Sequence, residues 1–370
     1  MSTADIVVIG AGSVGANVAY RLAERGAKVT VLEAEAPGGG TSGTSFAWTN
    51  SFNKTPRDYH ELNTASMAEH LALVSELGGG DWHKQEGALA WEDQPLGRAR
   101  LKETVERLGS WGYPVEIISA HDARKLEPDL RIAPHVDEVV FAPSEGYVDV
   151  VPLIGRLLAH AVHRGARVLS GERVIGVIRE GMRVRGVTTA GGGRFEADMV
   201  IDCAGPAVDE VARLTGFEIP MDRVPGRLIY TTPVASTLRR PIHAPGAHFR
   251  PDGGGRIVLA EFAHDQVWRQ SEEPWPAEQS LAAVAAHLPA VAGARVEAIR
   301  FGVRPMPRDQ RPMVGGIPGL DGFFIVASHS GVTLGPLWGR IAAAEILDGL
   351  PDPRLAPYRP ARFLSKTRRG

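Results

Sequence analysis

The chain has 370 residues, 44% of them hydrophobic and 23% charged, with a formal net charge of −2. These proportions fit a globular protein long enough for two lobes, and the balanced charge, free of long like-charged runs, leaves no footprint for nucleic acid or a membrane surface. Cys203 is the only cysteine, which excludes an internal disulfide and any multi-cysteine metal site.

The opening reads as a strand at Asp5–Ile9, a glycine turn, a helix over about Ser13–Glu24 capped by Gly26, and a second strand Lys28–Leu32. No basic-then-apolar signal precedes it, and no window approaches the roughly 18 apolar residues of a membrane span, so the expected location is the cytoplasm. Gly10-Ala11-Gly12-Ser13-Val14-Gly15 follows the strand directly and opens the helix, the context in which a glycine pattern signals a dinucleotide. Gly10 permits the tight turn and Gly12 a close approach to pyrophosphate, while Gly15 lets helix and strand pack. Ser13 and Val14 sit at the helix N-terminus that faces the anion. Glu33 ends the second strand, where its carboxylate suits ribose hydroxyls and repels a 2′-phosphate. The unit alone suits FAD and NAD equally.

From Pro37 to Gly43 the chain turns to Gly, Pro, Ser and Thr, and Thr41, Ser42 and Ser45 supply hydroxyls for a second phosphate or a ring edge. A helix is expected around Tyr59–Leu77, then an inserted lobe between about Asp81 and Tyr147. Next come a helix at Val150–Arg164 and strands at Ala166–Leu169, Arg173–Ile178, Arg183–Thr189 and Arg194–Ala197. Met199–Cys203 reads as a buried strand and Ala207–Leu214 as a helix. Strands near Arg227–Thr231 and Arg256–Ala260 and a helix at Ala277–His287 return to the inserted lobe. The last pass reads as strands Arg295–Arg304 and Gly322–Val326, a loop Ala327–Gly335 and a helix Pro336–Leu347. The expected fold is α/β: a discontinuous Rossmann-like nucleotide-binding domain of residues 1–50, 145–220 and 295–370, and an α+β substrate domain of 51–144 and 221–294 built on an antiparallel sheet.

The stretch from Gly302 to Gly315, headed by Gly302-Val303-Arg304-Pro305, resembles a signature of the D-amino-acid-oxidase-like flavoprotein family, which includes glycine oxidase, sarcosine oxidase and D-amino-acid dehydrogenases. Ala327-Ser328-His329-Ser330-Gly331-Val332-Thr333 resembles its final flavin loop, Thr41-Ser42 with Ser45 its early flavin loop, and Cys203-Ala204-Gly205-Pro206 its middle nucleotide segment. The four stretches stand in family order. The resemblance implies a glutathione-reductase-like FAD domain. Gly10, Gly12, Gly15 and Glu33 would hold the ADP part, with a backbone contact from Val174 to adenine. Ala204 and Gly205 would lie beside the nucleotide, and N–H groups of Gly331, Val332 and Thr333 would face the flavin pyrimidine. No Cys stands just before the Arg-Pro signature and no His between Thr41 and Ala47, so the FAD is expected to be non-covalent.

By the same resemblance Arg304 pairs with a substrate carboxylate. His329 departs from relatives that carry an arginine there, and suits a carboxylate contact or removal of an ammonium proton. Tyr230 corresponds to substrate-facing positions, and Trp48, Asn50 and Asn53 are expected to line the cleft. His248, His264 and Glu261 are further polar candidates, with no metal-ligand spacing among them. No lysine lies between Lys125 and Lys366, which argues against a lysine over the flavin and favours a dehydrogenase slightly over an oxidase. The implied reaction is FAD-dependent oxidation of an amino acid or related amine, with oxygen, a quinone or a carrier protein as electron acceptor. The alternatives are an FAD-holding subunit that needs a partner chain and oxidation of a non-amine substrate.

Overall fold

The computed structural model describes residues 4–262 and 276–364; His264 lies outside them. Within the described residues the strands form three sheets. The first runs, in spatial order, Val174–Glu180, Arg183–Thr189, Leu320–Ala327, Met199–Asp202, Asp5–Ile9, Lys28–Glu33 and Arg167–Ser170. Its centre is parallel: Asp5–Ile9 pairs Lys28–Glu33 on one side and Met199–Asp202 on the other, and the latter pairs Leu320–Ala327. Parallel strands buried on both faces read as continuous apolar runs, which is why Ile6 to Ile9 carries no alternation.

Helices Ser13–Glu24, Val150–His163 and Gly331–Asp348 cover this sheet, and their apolar residues share one core with Ile6, Val8, Val29 and Val31. The first and last helices touch closely because the last presents Gly335 and Gly339 to Asn17. A Cβ there would come within 2.8 Å of the Asn17 amide nitrogen and 2.6 Å of its carbonyl oxygen respectively. Among the described residues no helix is long and apolar enough to cross a membrane.

The second sheet is largely antiparallel, in the order Val296–Pro307, Met221–Thr231, Ile257–Phe262, Ala247–Pro251, Ile242–Ala244, Ala88–Ala90, Glu138–Ala142 and Glu116–Ser119. A separate core of Leu89, Trp91, Ile229, Phe249 and Leu281 lies beneath it. Trp48–Thr49, Gly146–Val148 and His83–Lys84 form the third, small sheet.

Three segments lie elsewhere than the sequence reading put them. Val296–Pro307, read as part of the nucleotide domain, pairs along its length with Met221–Thr231 in the antiparallel sheet. The helix Arg57–Glu76, read into the substrate domain, packs on the last helix through Tyr59, Leu62 and Leu73. The final helix begins at Gly331, inside the stretch read as a loop up to Gly335. The Gly335-Pro336 pair looks like a helix start, but a proline near the first turn forfeits only one backbone hydrogen bond.

Candidate active site

A cleft of about 990 Å³ runs from the glycine turn across the end of the parallel sheet to the antiparallel sheet. Its nucleotide end is set by backbone geometry. Gly10 sits at φ +96°, and a Cβ on it would come within 2.6 Å of the Cys203 carbonyl oxygen. A Cβ on Gly15 would overlap the Gly10 carbonyl oxygen, so Gly15 lies behind the turn and acts by letting the helix approach. Gly12, Ser13, Val14, Glu33, Val174, Ala204 and Gly205 all line the cleft. The Glu33 carboxylate accepts hydrogen bonds from the N–H of Ala11 at 2.7 Å and of Glu35 at 2.9 Å, which fixes it at the strand end. The Cys203 thiol is buried and its pKa pushed well up, a structural cysteine without thiolate chemistry.

The middle of the cleft is a meeting of two loops and a helix N-terminus. Thr41, Ser42 and Ser45 line it, and Ser42 Oγ accepts from the Ser13 N–H at 2.9 Å. Opposite stand Ser328, His329, Gly331, Val332 and Thr333, with the N–H groups of the last helix's first turn directed out of the helix. This turn is tied down from several sides. Ser13 Oγ donates to the Gly331 carbonyl at 3.2 Å, Thr333 Oγ1 to the Trp48 carbonyl at 3.2 Å, and the Tyr59 hydroxyl to Ser330 Oγ at 2.9 Å. His70 supplies a further tie: its Nε2 donates to the Val332 carbonyl at 3.0 Å. Val332 is the residue whose helical partner would be the N–H of residue 336. Pro336 has none, and His70 takes its place.

Burial lowers His70 from 6.5 to about 4, and its stacked neighbour His83 likewise to about 4. A histidine held neutral in the folded chain but free to protonate when unfolded makes stability fall as pH drops. The effect is complete above pH 6.5 and is lost progressively toward pH 4, about 3 kcal/mol for His70 alone. His70→Gln keeps an N–H donor and does not titrate. Urea midpoints measured from pH 7 to 4 are expected to fall less steeply in that variant; an unchanged slope would exclude His70 as the source.

The same cleft carries the candidate substrate groups. Arg304, His329, Trp48, Asn50, Asn53 and His248 all line it. Asn50 Nδ2 donates to the Trp48 carbonyl at 3.0 Å, while Asn50 Oδ1, Trp48 Nε1 and Ser328 Oγ are buried polar atoms with no hydrogen-bond partner. Buried polar atoms of this kind call for a polar ligand.

Two candidates lie outside the cleft wall. Tyr230 shares a strand face with Gly226 and Leu228, which line the cleft, but stands one pleat further on, about 7 Å away. There it packs beside Phe46 and Val258, with the Arg300 guanidinium over its ring at 5.3 Å. Glu261 is buried in an ion pair with Arg227, its Oε2 accepting from Arg227 Nε at 2.6 Å, and accepts from Ser280 as well. It serves the second lobe's framework. Among the described residues no group of three or more His, Cys, Asp or Glu side chains is placed to hold a metal.

Sequence reasoning missed other wall residues. His243 lies against Trp48, ring centroids 3.9 Å apart, with its Nδ1 3.0 Å from that of His248; burial and then His248 hold it well below the usual histidine range. Lys54, which lies outside the lysine gap, lines the cleft too. Its side of the wall is shaped by Glu145, whose Oε1 accepts from the N–H of Ser51 at 2.9 Å, the N–H of Phe52 at 2.7 Å and the Tyr113 hydroxyl at 2.7 Å. Burial raises Glu145 to about 7, and burial with Arg304 nearby lowers Lys54 to about 8.

The model of the FAD dependent oxidoreductase family, DAO, matches residues 5–345. The chain belongs to that family. This oxidoreductase is 27% identical to the glycine oxidase of Pseudomonas aeruginosa, over 96% of its own length and 98% of the relative's. It is likewise 27% identical to an uncharacterized oxidoreductase of Bacillus subtilis, YurR, over 97% and 99%. The crystal structure of glycine oxidase from Geobacillus kaustophilus superposes with a TM-score of 0.85 at 22% identity, covering 97% of this chain and 98% of that one. The cofactor of the family is FAD, and the site fits it: the Gly10 to Gly15 turn leaves room only for backbone beside a phosphate, and the unpartnered polar atoms of Asn50, Trp48 and Ser328 lie in the same cleft.

Proposed function

We propose that this flavoprotein oxidises an amino acid or a related primary or secondary amine at the carbon next to nitrogen. The observation that carries the reading is one continuous cleft that joins the nucleotide turn to a wall holding Arg304, His329 and Asn50. FAD, when bound, accepts the hydride. The chain's own residues do the rest. Arg304 offers a planar fork to the substrate carboxylate, and His329 takes the ammonium proton so that the nitrogen lone pair is free to close the C=N bond as the C–H pair leaves. Water then hydrolyses the imine to a carbonyl compound, releasing ammonia from a primary amine or a primary amine from a secondary one. The similarity to a glycine oxidase supports an amine donor, and a single buried cysteine accords with a cytoplasmic setting. The lysine gap slightly favours a dehydrogenase over an oxidase; the rate at which air reoxidises the reduced flavin separates the two.

Anaerobic mixing with a panel of amino acids, N-methyl amines and hydroxy acids is expected to bleach the flavin band with amine donors. Bleaching by hydroxy acids alone would remove the amine reading. A second reading, an FAD-holding subunit completed by a partner chain, is favoured by Ile299, Phe301 and Val303, which expose their side chains on one face of the sheet's edge strand. A flavin-loaded protein that no donor in the panel reduces would select it.

A further inference from the structure

Glu92 follows the strand Ala88–Ala90 of the antiparallel sheet and lines the cleft, as do Trp91 and Leu101. The other carboxylates on the cleft wall are engaged. Glu33 accepts the N–H groups of Ala11 and Glu35, Glu35 pairs with Arg173, Glu172 accepts from the Thr189 hydroxyl, and Glu210 pairs with Arg223. The Glu92 carboxylate makes no hydrogen bond and no ion pair among the described residues. Packing holds its side chain instead: a Cβ on Gly97, in the first turn of the helix Pro95–Ser110, would come within 2.9 Å of both Cγ and Oε2 of Glu92. Burial, and then the neighbouring Asp93, raise the Glu92 carboxyl above its usual value, so its negative charge is costly where it stands. A half-buried carboxylate on a cavity wall without a counter-charge is matched by a ligand that brings one.

We propose that Glu92 is a specificity-determining residue that selects a second cationic group on the substrate, which places the substrate among diamino and guanidino acids. This rests on the amine reading above for the identity of the reacting bond, and on the cleft wall itself for the charge of the ligand. Leu101, presented by the same helix as Gly97, and Trp91 give apolar surface to the methylenes of such a side chain, and an indole ring favours a nearby cation. Glu92 acts on binding and leaves hydride and proton transfer to other groups.

The test titrates the FAD-loaded protein with guanidinopropionate, guanidinobutyrate and guanidinovalerate, each against the uncharged ureido acid of the same length, followed by calorimetry and by perturbation of the flavin spectrum. Both members of a pair carry the same carboxylate, so whatever holds that group cancels. The guanidinium compound of the best-fitting length is expected to bind about tenfold tighter than its ureido partner, the lower end of a charge-assisted contact because Glu92 keeps part of its water. Glu92→Gln keeps the shape and removes the charge, and the preference should shrink to about twofold or less; Glu92→Asp keeps the charge and should retain part of the preference. Flavin content and melting temperature show that each variant is folded. Equal or undetectable binding within every pair in the unmodified protein, or a Glu92→Gln variant that keeps the preference, overturns the assignment. Because these ligands carry no free amine, the outcome is independent of the donor panel: a guanidinium preference in a protein that no amine reduces would sink the reaction and keep the Glu92 assignment.

Discussion

Gly15→Ala is expected to yield a protein without flavin. The new Cβ would overlap the carbonyl oxygen of Gly10, and Gly10 cannot retreat, since it already sits at φ +96° against the Cys203 carbonyl. Relief must come from moving the helix off the strand, and that draws the helix N-terminus away from the cleft in which FAD would lie. Flavin-to-protein absorbance after purification and after incubation with excess FAD should fall to about a tenth of the wild-type ratio or less, since a misplaced anion seat loses several charge-assisted contacts at once. Gly26→Ala is the control. That residue is also at positive φ, +82°, but nothing lies within 4 Å of its Cβ position. The cost should be about 1 kcal/mol of stability with flavin retained. Equal flavin loss in both variants would place the effect in general destabilisation.

Arg304→Ala carries the second large effect. Removing the guanidinium should weaken a carboxylated amine by about 2–3 kcal/mol, roughly 30- to 150-fold in kcat/KM, most of it in KM. A guanidinium that binds a remote carboxylate contributes the same binding before and during hydride loss, so kcat should change little for the substrate fraction that still reaches the site. Guanidinium added to the assay should recover part of the activity in the alanine variant. An unchanged KM for carboxylated donors would remove Arg304 from the substrate wall and leave the edge strand without its proposed role.

How much of this could be read beforehand divides along a physical line. The nucleotide turn is written in consecutive residues, because a phosphate is bound by backbone and only glycine spacing makes that backbone available. The parallel sheet was equally legible, since strands buried on both faces are continuous apolar runs. The partition between lobes was not. Alternation marks 296–307 as a strand but does not say which sheet it joins, and its partner Met221–Thr231 lies more than sixty residues upstream. The wall proposed for the substrate was half legible. Arg304 and Asn50 fell within recognisable stretches, but Lys54 reaches the cleft from a turn that Glu145, nearly a hundred residues away, holds through the N–H groups of Ser51 and Phe52. Tyr230 shares its strand with Gly226 and Leu228 of the cleft wall, and one pleat puts its ring beyond them, a distance that sequence spacing alone does not measure. The helix start at Gly331 was hidden by Pro336, whose missing donor is replaced by a histidine from another helix.

The contact of Gly335 and Gly339 with Asn17 joins residues more than three hundred positions apart in the sequence. During synthesis the amino-terminal helix emerges first, and one of its flanks must wait, uncovered, until the ribosome has made residues past 348. The seat for the adenine dinucleotide is thus a late product of a long-range closure, slow by topology and exposed to aggregation until it is made. A truncation that reaches into residues 331–348 removes the cover of the amino-terminal helix, so such a chain forfeits the whole vault rather than a single appendage.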